Sequence, residues 1–108
     1  MKPESTFALA RFVATAEAGD LPSRVRHEAK RALLNWLGCA IGASRHETLE
    51  NAIAALKEFA GPPQATVLGR SERCDILHAA LFNGLSSHTF DFDDTHLNTI
   101  IHPTGPVG

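Results

Sequence analysis

The sequence has almost no net charge, no long apolar run and few cysteines. Formal charge is −2 over 108 residues, so it offers no basic surface to draw nucleic acid or an anionic membrane, and neither is expected as a partner. No apolar run approaches the roughly 20 residues of a membrane-spanning helix. Glu4 and Arg11 interrupt the charged-then-apolar order of a secretory signal. Cys39 and Cys74 lie far apart, and Cys39 sits in an apolar helical pattern. Both are therefore expected to be reduced thiols of a cytoplasmic protein. There is no HExxH, no CxxC, no internal repeat and no low-complexity segment.

What remains is the composition of a soluble globular chain, 44% hydrophobic and 20% charged. A chain of this size makes one small domain with a thin core, burying roughly two-thirds of its unfolded surface.

The first two-thirds reads as successive helices. Thr6 can cap a first helix with Phe7, Leu9, Phe12, Val13 and Ala16 on its apolar face, and Gly19 can end it at positive φ. Pro22 opens a second helix. Its apolar positions, Val25, Ala29, Ala32, Leu33, Trp36, Leu37, Ala40 and Ile41, trace one face. Gly38 and Gly42 lie one turn apart on it. Each costs about 1 kcal/mol relative to alanine, so close approach of another helix is expected there. Thr48 begins a third helix with Leu49, Ala52, Ile53, Leu56 and Phe59 inward, and Gly61-Pro62-Pro63 stops it. Ala65 to Leu68 reads as a short strand, turning at Gly69-Arg70 and pairing back near Arg73. Asp75 caps a fourth helix to about Ser87, with Ile76, Ala79, Ala80, Leu81 and Leu85 apolar. The fold class expected is mainly α with one short β-hairpin.

The pattern changes at His88. Three aspartates and three histidines crowd into His88 to His102, among Phe90 and Phe92. Aspartate and threonine in loops commonly cap turns, but capping does not call for clustered histidines. Carboxylates beside imidazoles in a partly apolar setting suit proton transfer. Asp91, Asp93, His96 and His102 are also competent ligands, which leaves a metal-dependent hydrolase as an alternative. A non-enzymatic helical module, pairing through the Gly38/Gly42 face, is another. Asp91-Phe92-Asp93-Asp94-Thr95 matches the DxDxT of haloacid-dehalogenase-like phosphatases, but their aspartate follows a buried strand and the preceding element here reads as helix.

Three blocks in order resemble the MmgE/PrpD family, which includes 2-methylcitrate dehydratase, cis-aconitate decarboxylase and iminodisuccinate epimerase. They are Leu33-Leu34-Asn35-Trp36-Leu37-Gly38-Cys39-Ala40-Ile41-Gly42, then His78-Ala79-Ala80-Leu81-Phe82-Asn83-Gly84 followed by Asp91-Phe92-Asp93-Asp94-Thr95-His96, then His102-Pro103-Thr104. The resemblance implies the N-terminal part of a large all-helical domain, completed elsewhere by further helices and a smaller α/β domain, usually as a homodimer. It implies an active site between domains with no metal or other cofactor, acting on a small polycarboxylate. By matched motif, Asp91, Thr95 and His102 would face the substrate, His102 as proton-transfer group, Asp91 orienting an imidazole and Thr95 binding a substrate carboxylate. A helix beginning at Pro103 would add N–H donors for an anion. Three aspartates repel a polycarboxylate, and nothing obvious in residues 1–108 supplies the cations. The segment alone is therefore expected to be inactive.

Overall fold

The computed structural model describes residues 3–107. They divide into two compact units, one up to Lys30 and one from Arg31 on.

The first unit holds α1 (Pro3–Thr15) and the opening turns of α2 (Ser23–Gly42). α1 begins at Pro3, which places the expected cap Thr6 inside the helix. It ends at Thr15, whose hydroxyl donates back to Arg11 O at 2.9 Å, four residues before Gly19. Among the described glycines only Gly69 takes positive φ, so the turn that follows closes without one at Gly19. Asp20 accepts there from the Glu17 N–H at 3.3 Å, and Arg26 donates to Ala18 O at 3.2 Å. Phe7, Leu9, Phe12 and Val13, expected inward, are exposed.

The second unit carries the rest of α2, then α3 (Glu47–Leu56), a 3₁₀ turn (Lys57–Phe59), β1 (Ala65–Thr66), β2 (Arg73–Cys74) and α4 (Ile76–His88). In this part of α2, Trp36 and Ala40 are buried, while Leu33 and Ile41 on the same stripe stay exposed. No atom outside the helix backbone comes within 4 Å of a Cβ built on Gly38 or Gly42. The close helix approach expected there is therefore absent among the described residues, and both glycines line a surface groove instead.

His46 caps α3, its Nδ1 accepting from Thr48 N at 3.2 Å. Glu47 and Glu50 in the first turn complement the helix dipole. Leu49 is the buried anchor, in a core with Val67, Cys74, Ala79 and Phe82. Burying a leucine fully contributes roughly 1.5–3 kcal/mol. Phe59, expected inward, is exposed, because the 3₁₀ turn changes the helical phase after Leu56.

The hairpin pairs Ala65 with Cys74 and Thr66 with Arg73, antiparallel. Gly69 turns it at φ +74°, and a Cβ there would meet Ser44 Cβ and Oγ at 2.6 Å. The turn thus requires glycine for both conformation and space. Next to it, the Arg70 guanidinium is buried and joins three segments. It donates to Ser44 O at 2.8 Å, to Glu50 Oε1 at 2.6 Å and to Glu72 Oε1 at 2.7 Å. Asn83 of α4 clamps the first arm, accepting from Leu68 N at 2.9 Å and donating to Thr66 O at 3.1 Å.

Asp75 caps α4 as expected, Oδ1 accepting from Leu77 N at 3.0 Å and His78 N at 3.1 Å. Its Oδ2 also accepts from Gly61 N at 2.7 Å and lies 2.7 Å from His78 Nδ1. The Gly61 hydrogen bond, followed by that of His78, holds this carboxyl well below the ordinary aspartate value of 3.8. A depressed carboxyl stabilises the fold above its unfolded value and loses that contribution as pH falls toward the folded one. Arg70 depresses Glu50 and Glu72 in the same direction. Thermal melts followed by circular dichroism should therefore show Tm falling below about pH 4. Asp75→Ala should lower Tm at neutral pH by roughly 4–8 °C and flatten the acid-side dependence. An acid-side fall as steep as the unsubstituted chain's would remove Asp75 as a source.

Candidate active site

α4 ends at His88, and the chain then turns through Thr89 and Phe90, with Asp91 N donating to His88 O at 3.0 Å. Asp91 takes φ +55°, a left-handed conformation that aspartate tolerates better than most residues. Asn35 of α2 docks the following residue, its Nδ2 donating to Phe92 O at 3.1 Å. Further on, His96 and Ile101 form an isolated antiparallel bridge that returns the chain toward the aspartates. Asp94 holds the end, accepting from the Thr104 hydroxyl at 2.7 Å and from Thr104 N at 3.3 Å. Residues 103–107 form turns, and no helix starts at Pro103 among the described residues. The Thr104 N–H, expected to serve an anion, is engaged by Asp94.

This path gathers four side chains. One donor atom from each of His88, Asp91, Asp93 and His102 lies within 4.8 Å of the others. Asp93 is at the centre, its side chain only 2% exposed. His88 Nδ1 hydrogen-bonds Asp93 Oδ1 at 3.1 Å, and His102 Nδ1 lies 3.2 Å from Asp93 Oδ2. The two imidazoles meet edge to face, centroids 4.8 Å apart. Asp91, with its side chain 76% exposed, places Oδ1 3.7 Å from His102 Nε2. Thr95 Oγ1 lies 3.5 Å from His102 Nδ1 and donates to Asp93 O at 3.4 Å. The structure thus brings Asp91, Thr95 and His102 together. It leaves His96 apart, on Thr99 Oγ1 at 2.7 Å.

The sequence pattern alone does not single out His88 or Asn35, nor Asp93 as the central carboxylate. His88 could have been found from its place on the last turn of α4, which a loop must double back to meet. Asn35 carried no signal, since its contact spans 57 residues.

The cluster faces an open cleft of about 1150 Å³, with Trp36, His46, Asn83, Ser87 and Thr89 also on its walls. Trp36 Nε1 is buried with no partner among the described residues. Burial, then the Asp93 charge, pushes the Cys39 thiol up, which keeps it protonated and weakly nucleophilic. No lysine or arginine lines the cleft among the described residues. His88, Asp91, Asp93 and His102 could hold a divalent ion of borderline softness if their donors drew closer. His88 would then replace His96 in the expected ligand set.

A profile of the MmgE/PrpD N-terminal domain matches residues 8–108. The chain belongs to the MmgE/PrpD family. It is 33% identical over 92 residues to cis-aconitate decarboxylase of Homo sapiens, covering 84% of this chain and 19% of that protein. To cis-aconitate decarboxylase of Mus musculus it is 28% identical over 103 residues, 94% of this chain and 21% of that one. To the cis-aconitate decarboxylase-like protein oryM of Aspergillus oryzae it is 27% identical over 97 residues, 90% and 20%. The chain therefore spans about a fifth of the length of these relatives. No solved structure gives a significant match. Membership of this family supports lyase-type chemistry, and the mainly helical fold with one small hairpin agrees with an MmgE/PrpD N-terminal domain. No described helix is long and apolar enough to cross a membrane.

Proposed function

We propose that this segment forms one wall of the active site of a lyase that acts on a small polycarboxylate of the cis-aconitate type. The observation that supports this best is the placing of His102 at the cleft, with one nitrogen against a buried carboxylate and the other toward the open side. Decarboxylation breaks a carbon–carbon bond and leaves its electron pair conjugated with a neighbouring carboxylate or alkene. An imidazolium can then deliver a proton to that carbon. Dehydration begins with the reverse transfer, from carbon to a neutral imidazole. His102 takes this role. Thr95 supplies a hydroxyl for a substrate carboxylate, and Asp91 flanks the reacting side of the ring. Among the described residues the cleft lacks arginine and lysine, so on this proposal the cations that hold the substrate belong to the rest of the protein, along with the remaining helices and an α/β domain.

The test is a substrate panel on a protein that continues past Gly108. Turnover of cis-aconitate or 2-methylcitrate that persists in excess EDTA is expected, while the 1–108 polypeptide shows none. No turnover of any polycarboxylate by the longer protein would sink the proposal. Loss of turnover in EDTA would move the reading to metal-dependent chemistry at the same four side chains.

A further inference from the structure

We infer that Asp93 is the positioning residue for His102, and that it performs this role as one buried carboxylate shared by two imidazoles. The inference rests on the functional reading above and adds to it a residue and a tautomer.

Three groups compete for the nitrogens of His102. Asp93 Oδ2 lies 3.2 Å from Nδ1, Thr95 Oγ1 3.5 Å from the same nitrogen, and Asp91 Oδ1 3.7 Å from Nε2. They call for opposite tautomers. Asp93 needs a proton on Nδ1, whereas a Thr95 hydroxyl donating to Nδ1 would leave the proton on Nε2, facing Asp91. Magnitudes favour Asp93. The Thr95 contact has hydrogen-bond geometry at 3.5 Å and the Asp93 contact is an ion-pair approach at 3.2 Å, but an ionised partner interacts roughly twice as strongly as a neutral one. The single Thr95 proton is already directed at Asp93 O, and Asp91 is farther away and exposed.

Burial strengthens the case. Asp93 is 2% exposed at its side chain, and a desolvated carboxylate is costly unless donors surround it. Among the described residues its side-chain polar contacts are His88 Nδ1 and His102 Nδ1, one on each oxygen at the shorter distances. His88 therefore directs Nδ1–H at Asp93, and in the inferred arrangement the Nδ1–H of His102, at ion-pair distance, goes to the same carboxylate. The result for His102 is a free Nε2 lone pair toward the cleft, where a substrate proton can be taken, and a nearby anion when the ring becomes cationic. His88 completes the shell of Asp93 and so acts on His102 through it.

The tautomer can be read without turnover. Two-bond ¹⁵N–¹H spectra of the full chain, with ¹⁵N-labelled histidine at a pH where the rings are neutral, should show His88 and His102 as Nδ1–H. In Asp93→Ala both should move to the Nε2–H form that free imidazoles favour. Asp93→Asn offers a single acceptor oxygen, so one ring should switch and the other stay; this isosteric variant also covers the case in which alanine fails to fold. Thr95→Val should leave His102 as Nδ1–H. An Nε2–H His102 in the unsubstituted chain, or rings unmoved in Asp93→Ala or Asp93→Asn, would overturn the inference. In the longer active protein, Asp93→Asn should lower kcat about tenfold or more with a smaller change in KM. If the tautomers behave as stated but His102→Ala retains full turnover, the proton-transfer reading fails and the positioning of His102 stands.

Discussion

Replacing His102 by alanine should lower kcat for a polycarboxylate substrate by about 100-fold or more, with KM changing much less. A positioned acid or base contributes roughly 10²–10⁴-fold to a proton-transfer step. On the proposed reading the group lost acts on the reacting carbon, whereas substrate carboxylates are held by other residues. The effect therefore falls on the transition state and not on ground-state binding. His96→Ala is the control. That ring sits on Thr99 Oγ1 and does not line the cleft, so kcat should stay within about twofold, since the alteration removes nothing from the acid–base step. Steady-state kinetics on the longer protein checks both. Equal losses in the two variants would mean a general disturbance of the loop, and an unchanged His102→Ala would exclude His102 as proton donor or acceptor.

The second large effect is on stability. Phe82→Ala should cost about 3–5 kcal/mol. Phe82 is 3% exposed and packs in the cluster with Leu49, Val67, Cys74 and Ala79. Small domains have only about 5–15 kcal/mol in total, so a large part of the stability is lost. Leu81, one residue earlier, is 46% exposed, and Leu81→Ala should change stability by about 1 kcal/mol or less. Urea denaturation of this chain measures the difference. Similar losses at both positions would mean that the inward face of α4 has been wrongly assigned.

That pair also shows where the sequence is legible and where it is not. α4 is apolar nearly all round, so its periodicity selects no face. Ile76, Leu77 and Leu81 stand exposed, while Ala79, Phe82, Ser86 and Ser87 are buried. The two serines satisfy their hydroxyls on Asn83 O and Gly84 O, which lets polar residues face inward. The Asp75 cap and the Gly69 turn were readable because both depend on local backbone chemistry. Asp75 reaching Gly61, Arg70 reaching Ser44, and Asn35 reaching Phe92 join distant segments and leave no local trace. At the site, the cluster of residue types was visible along the chain. The central place of Asp93 was not, because it depends on a loop that brings His102 back against the end of α4.

The Arg70 knot has a consequence for how the fold comes apart. A hairpin with two residues in each strand is at best marginal alone. Here its turn is bonded to the α2–α3 junction and to α3 through Arg70, and its first arm to α4 through Asn83. Fraying it would strip a buried guanidinium of its partners, so local opening gains little chain entropy for a large electrostatic loss. The amides of this hairpin, whose strands are the shortest regular elements among the described residues, should consequently exchange their hydrogens at the slow pace of the helices around them, as members of one cooperative unit.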